Sequence, residues 1–200
     1  MLVEGIKSRP VYAPLTSRPG PLHLVVADEQ GALAVLDLAA GAPDGFLERT
    51  RIIYAPGGSV REEHGARLAA LGAAGFMAVP SEAGAMTAFR TALAEARMGT
   101  QVYVAGTENL IGQVVQASLD AGLELNAIAA EHRGSLERRV QCVHCKAITE
   151  HVTTQPVSCI GCGLALLVRD HFSRRIGAFQ GVCIDAEEPG TGPAPEVIFS

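Results

Sequence analysis

Four of the five cysteines in this 200-residue chain fall as two matched pairs, Cys142-Val143-His144-Cys145 and Cys159-Ile160-Gly161-Cys162. Two residues between thiols let one tight turn aim both sulfurs, and nearby N–H groups, at a single ion. Two such knuckles on facing loops close a tetrahedron with metal–sulfur bonds of about 2.3 Å. The thirteen residues between them, Lys146 to Ser158, fit a hairpin, with Ala147-Ile148-Thr149 and Val152-Thr153-Thr154 as its β-prone stretches. Cys142, Cys145, Cys159 and Cys162 are therefore the expected metal ligands.

Four thiolates suit zinc, and the same donors hold the single iron of a rubredoxin or an Fe–S cluster. Rubredoxin knuckles favour glycine after the second cysteine; Gly163 meets that preference and Lys146 departs from it. A lysine there also lessens the double negative charge of a zinc tetrathiolate. The expected ion is zinc, with iron in the same site as the alternative. A closed tetrathiolate leaves no open coordination position, so the ion would be structural. Sites of this type contribute on the order of 10 kcal/mol to folding, which a module of roughly forty residues needs. Cys183, between Val182 and Ile184, reads as a small core hydrophobe. His144 is expected to face outward from its knuckle, and His151 belongs to the hairpin.

The knuckles stand in a basic segment. Residues 133–180 carry seven basic and three acidic side chains, against nine basic and fourteen acidic in residues 1–132, and the last twenty residues hold four acids and no base. Arg169, His171, Phe172, Arg174 and Arg175 follow the second knuckle closely. Three readings fit them: a solvated surface, a docking surface for a protein partner, or a nucleic-acid contact. Arginine and aromatics anchor protein interfaces, whereas a polyanion binder would want a basic domain overall. These five are the candidate partner contacts.

The elements that must position the cysteines lie downstream of a strand–helix alternation. Short apolar runs at Leu22–Ala27, Arg51–Ala55, Phe76–Val79, Thr100–Ala105 and Leu125–Ala130 are separated by helical patterns. Asp28-Glu29, Ser59 or Arg61, and Ser81-Glu82 mark helix starts, while Gly41, Gly75, Gly99 and Gly122 mark ends. That spacing predicts βαβ crossovers, so the fold class is α/β: a doubly wound parallel five-stranded sheet followed by a small four-cysteine zinc-ribbon-like module. The expected division is an extended proline-rich arm at 1–20, lying on this domain or on a partner, then a Rossmann-like domain at 21–138. The ribbon with its basic segment follows at 139–185, and a flexible acidic tail at 186–200.

A doubly wound sheet that binds a dinucleotide needs a glycine-rich first turn that lets the backbone approach the pyrophosphate. Here that turn is Ala27-Asp28-Glu29-Gln30-Gly31-Ala32, with one late glycine and two carboxylates where phosphates would sit. Val102-Tyr103-Val104-Ala105-Gly106-Thr107-Glu108, with Gly122 and Ala129-Ala130-Glu131-His132, resembles the last βαβ unit of the NAD(P) domain of ferredoxin-reductase-like flavoenzymes. Ile52–Ala55 and Arg61 are similar to the strand and arginine that meet the adenosine end of NADPH in that family. Ala105-Gly106-Thr107 stands where the family has Cys-Gly-Pro, and no flavin-binding barrel precedes the sheet. The resemblance implies a nucleotide-binding scaffold that no longer holds its cofactor, so no cofactor-binding residue is assigned.

Composition bounds the rest. With 48% hydrophobic and 18% charged residues the chain can bury a core, which excludes wholesale disorder. No run approaches the ~18 apolar residues of a membrane span, and Met1 to Arg9 lacks the apolar core of a signal peptide. Reduced cysteines and the absence of a leader lead to a cytoplasmic expectation. No acid–base constellation supports a catalytic assignment.

Leu167-Val168-Arg169-Asp170-His171-Phe172-Ser173-Arg174-Arg175 after the second knuckle resembles the DmmA-like small-subunit family of dimethylamine monooxygenase. Ser8-Arg9-Pro10-Val11-Tyr12 and Gly177–Val182 are similar to that family too. The resemblance implies an accessory subunit of a bacterial enzyme that oxidatively N-demethylates a small secondary amine with O2 and NADPH. It implies haem on a larger oxygenase subunit, and FMN and an Fe–S centre on a separate reductase. In this reading the chain docks the oxygenase through its zinc module. The alternatives are an electron-transfer subunit, using rubredoxin-like iron or an NADPH site, and a zinc-ribbon nucleic-acid module.

Overall fold

The computed structural model describes residues 9–57 and 62–200. Most of the arm's first nine residues, the helix start expected at Ser59 or Arg61, and the adenosine-side role of Arg61 lie outside the described residues. Tyr12–Gly134 forms one compact unit, and Ser135–Ser200, with residues 9–11, forms another.

The first unit is a five-stranded parallel sheet: β1 (His23–Asp28), β2 (Thr50–Ala55), β3 (Gly75–Ala78), β4 (Gln101–Gly106) and β5 (Ile128–His132), in the order β3-β2-β1-β4-β5. Helices α1 (Ala32–Ala40), α2 (Glu62–Ala69), α3 (Glu82–Leu93) and α4 (Glu108–Asp120) make the crossovers. Alternate residues of β1 serve opposite faces. Leu24 and Val26 pack with Met86, Phe89, Leu110 and Val114 on one side; Val25 and Ala27 pack with Val35, Leu38 and Tyr54 on the other. Helix starts follow their side chains. Ser81 Oγ accepts the Gly84 N–H at 3.2 Å, and Thr107 Oγ1 accepts the Leu110 N–H at 3.4 Å, filling donors that a first turn leaves open.

Two expectations shift here. Helix α1 begins at Ala32, three residues after Asp28-Glu29, because Asp28 is the last residue of β1. Leu125–Ala127 forms a 3-10 turn, and the fifth strand starts only at Ile128. Residues 12–20 of the arm belong to the sheet unit. Leu15 is buried and donates its N–H to Glu131 Oε2 at 2.7 Å, and the Arg18 N–H reaches Tyr103 Oη at 2.9 Å.

The second unit is a mixed sheet of β6 (Arg138–Cys142), β7 (Ile148–Val152), β9 (Val157–Ser158), β10 (Ala165–Ser173) and β11 (Ala178–Cys183), in the order β7-β6-β11-β10-β9. A separate small ladder joins β8 (Thr154–Gln155) to β12 (Glu196–Val197). The expected hairpin between Ala147–Thr149 and Val152–Thr154 is not formed. Ile148–Val152 is a single strand that pairs antiparallel with β6, so the first knuckle is the β6–β7 turn and the second is the β9–β10 turn. Central β6 and β11 pair in parallel, Val140 opposite Phe179.

The tail departs from its expectation at its end. Residues 186–195 are exposed, but Glu196–Val197 pairs with β8 and Phe199 is buried among Val140, Leu166 and Phe179. Arg138 explains the anchorage. Its guanidinium lies 4.1 Å from the Phe179 ring centre and 4.2 Å from that of Phe199, while its Nη2 meets Asp170 Oδ1 at 2.7 Å. A buried cation paired with a carboxylate and facing two rings is a compensated one.

Candidate metal centre

Each knuckle closes on itself through the same two backbone bonds. In the first, Lys146 N–H donates to Cys142 O at 3.0 Å, and Cys142 N–H to Ala147 O at 2.9 Å. In the second, Gly163 N–H donates to Cys159 O and Cys159 N–H to Leu164 O, both at 2.9 Å. The residue after each second cysteine is left-handed: φ is 68° at Lys146 and 72° at Gly163. Lysine thus adopts the conformation that glycine supplies freely, and donates its Nζ to Val143 O at 2.6 Å. The sequence contrast between these positions does not carry into the backbone.

The two turns bring all four Sγ atoms within 4.8 Å of one another, with Cys142–Cys162 at 3.8 Å and Cys145–Cys159 at 3.5 Å. A tetrahedron with metal–sulfur bonds of about 2.3 Å has edges of about 3.8 Å, so the donor set fits one tetrahedral ion. Cys142 and Cys159 are buried, and Cys145 and Cys162 lie nearer the surface. Gly161 is needed for this approach: a Cβ there would stand 2.6 Å from Ala147 Cβ and 3.0 Å from Cys145 Sγ.

The thiols are electrostatically divided. Burial raises Cys159, but N–H groups of Cys162 and Gly161 and the neighbouring thiols outweigh it and bring it down to about 7. At Cys162 the Leu164 N–H favours the thiolate, yet burial and the three facing sulfurs prevail and push it up to about 12. Four anions in this space repel unless a cation sits among them, and the arrangement could hold a metal ion. Cys183 stands apart from the quartet, half-buried, its thiol 3.2 Å from Asp185 Oδ1.

The switch point of the sheet, between β1 and β4, is closed by the chain's own carboxylate. Asp28 Oδ1 accepts the Gly31 N–H and Oδ2 the Thr107 N–H, each at 2.8 Å. These donors begin α1 and α4. A Cβ at Gly106, whose φ is 145°, would come within 2.1 Å of Asp28 Oδ2, so glycine there makes room for the carboxylate. Burial first, and then the Glu29 and Asp28 carboxylates, push the neighbouring Tyr54 phenol up.

Among the candidate contacts, Arg169 and His171 are exposed along β10, and Arg174 and Arg175 are exposed in the turn before β11. Phe172 is half-buried and meets Phe179 edge-on, ring centres 5.0 Å apart. Sequence reasoning missed the Arg138–Phe199 contact; the available signal was the short apolar run Val197-Ile198-Phe199 at the end of an acidic, Pro- and Gly-rich tail.

With this geometry in hand, comparison with known proteins is informative. The N-terminal domain described as "Dimethylamine monooxygenase subunit DmmA-like" matches residues 4–128, and the C-terminal domain of the same description matches residues 139–182. The chain belongs to the DmmA-like family. A curated relative is the heme-dependent oxidative N-demethylase delta subunit of Ectopseudomonas mendocina (strain ymp). It is 34% identical over 116 residues, which is 58% of this chain and 66% of the relative. Two solved structures show partial similarity. The ferredoxin reductase in carbazole 1,9a-dioxygenase (FAD apo form) gives a TM-score of 0.42 at 14% identity, covering 60% of this chain and 34% of that one. An intact type IV self-sufficient cytochrome P450 monooxygenase gives 0.43 at 19%, covering 84% and 26%. Among the described residues, no helix of this DmmA-like chain is long and apolar enough to cross a membrane.

Proposed function

We propose that this chain is an accessory, non-haem subunit of a multi-subunit oxidative N-demethylase that acts in the cytoplasm on a small secondary amine such as dimethylamine, with O2 and NADPH. Membership in the DmmA-like family and the delta-subunit relative support the assignment. The observation that carries the accessory role is the closed quartet of Cys142, Cys145, Cys159 and Cys162, which leaves a metal no open position for substrate. Zinc is the proposed ion, because soft thiolates at tetrahedral spacing suit it and a small core gains stability from such a clamp.

In this reading Arg169, His171, Phe172, Arg174 and Arg175 form or border the contact with the large haem-bearing subunit, while FMN and Fe–S centres belong to a reductase partner. The sheet serves as scaffold: the Asp28 carboxylate takes the two N–H groups that would otherwise face a pyrophosphate. A second reading, rubredoxin-like iron, is favoured by the matched left-handed residues after both second cysteines. Metal quantification with an absorption spectrum on the complex, before any tag-column exchange, separates them. One zinc per chain and no visible colour is expected; Fe–thiolate absorption overturns the structural-zinc assignment. Saturable NADPH binding by this chain alone would overturn the scaffold assignment.

A further inference from the structure

The fate of the acidic side chains in the second unit points to what its surface recognises. From residue 135 to 180 the acids are Glu137, Glu150 and Asp170, and each is engaged internally. Asp170 Oδ1 meets Arg138 Nη2 at 2.7 Å, Glu150 Oε1 meets Arg139 Nε at 2.9 Å, and Glu137 Oε1 meets His151 Nδ1 at 3.0 Å. Arg169, Arg174 and Arg175 are exposed and have no carboxylate partner among the described residues, with His171 exposed beside them. Strand β10 pairs with β11 through Arg169 and again at Phe172–Ser173, with a bulge between them; Asp170 is drawn inward to Arg138, and Arg139 Nη1 holds the Ile176 carbonyl of the following turn at 2.7 Å. Positive charge is thus sorted outward by the fold.

We propose that the Arg169–His171–Arg174–Arg175 strip docks a carboxylate-rich face of the large subunit; this rests on the accessory-subunit reading above. Charge complementarity of this kind fixes orientation and speeds encounter more than it adds affinity. A protein face fits better than nucleic acid. The strip is short, and the whole chain carries 21 acids against 16 bases, which is not the basic domain that a polyanion binder wants.

The test measures binding of the metal-loaded full chain to the purified large subunit at about 50 and about 300 mM salt, between which exposed charges become strongly screened. Three forms are compared: wild type, the reversal R169E/R174E/R175E, and the conservative R169K/R174K/R175K. Unchanged metal content and far-UV circular dichroism establish that the variants fold. Salt should slow association of the wild type; the reversal should weaken binding by at least about tenfold, and the lysine form by much less. Wild-type and reversal forms that bind alike and insensitively to salt overturn the strip while leaving the accessory role intact. No wild-type complex at low salt overturns both. Tighter binding to a duplex DNA oligonucleotide than to the subunit overturns the protein-face assignment.

Discussion

Asp28 ties the end of the first strand to the start of α4 by accepting the Thr107 N–H at 2.8 Å, and its other oxygen does the same for Gly31. One side chain thereby joins β1 to both helices that flank the switch point. The carboxylate takes over the electrostatic role that a bound anion plays at helix starts elsewhere.

Asp28→Ala should therefore leave two helix-start donors unsatisfied and lower the stability of the sheet unit by about 2–4 kcal/mol. Asp28→Asn, with a single acceptor oxygen, should fall between. Guanidinium unfolding monitored by circular dichroism reads both. Equal stability of all three proteins would contradict the tie.

Glycine substitutions around the thiols should separate crowding from backbone preference. At Gly163 an added Cβ meets nothing within 4 Å, so Gly163→Ala carries only the left-handed penalty of about 1 kcal/mol. Lys146→Gly relieves the same penalty and should raise the thermal midpoint of the metal-loaded form slightly, net of the lost Nζ contact. Gly161→Ala should abolish stoichiometric metal binding, since its Cβ enters the space of Ala147 and Cys145.

Metal retention should depend on pH in one direction. Every ligand must be a thiolate; Cys159 is brought down to about 7 and Cys162 is pushed up to about 12. Binding must displace protons, so apparent affinity rises with pH and falls steeply below about 7. A chelator competition series across pH checks the slope; a flat profile would mean that the thiols do not ligate the ion.

Phe199→Ala should cost about 3–4 kcal/mol, the usual range for a buried ring, and should free the last strand from β8. Limited proteolysis would then cut within residues 186–199 faster than in wild type. Arg138→Ala should be at least as damaging, because it strands the Asp170 carboxylate in the interior.

His23 should make the sheet unit acid-sensitive. Burial, and then Arg49, hold its imidazole below the usual 6.5, so the folded state keeps it neutral. Above 6.5 it is neutral folded or unfolded and contributes no slope. Below 6.5 the unfolded chain binds a proton that the folded one refuses, and stability declines by up to about 1.4 kcal/mol per pH unit. His23→Leu should flatten that decline in denaturation curves taken between pH 7 and pH 5.

Much of this architecture was readable residue by residue, for identifiable reasons. Buried parallel strands announce themselves as apolar runs, and Ser81 caps α3 where its position suggested. The cysteine spacing encodes a local geometry, so the quartet could be found without knowing which strands carry it. The strand partners of the second unit were hidden because β6 and β11 pair across a long stretch of chain, and no local pattern records such a partnership. Lys146 misled for a related reason: residue type ranks left-handed backbone as unfavourable, but two matched hydrogen bonds across the turn impose it. Arg138 stands among the seven bases of its segment without a distinguishing mark, since nothing near it in sequence foretells Phe199.

The parallel alignment of β6 with β11 sets an order of events during synthesis. The β6–β7 and β9–β10 turns are local and can form as they leave the ribosome, but β6 waits for Phe179 and its neighbours before its inner edge is covered. Until then a half-built sheet exposes an open edge, the state most prone to sticking to other chains. An ion captured by the two turns would hold their strands together through that interval, so metal starvation should show first as aggregated nascent protein and only later as lost activity.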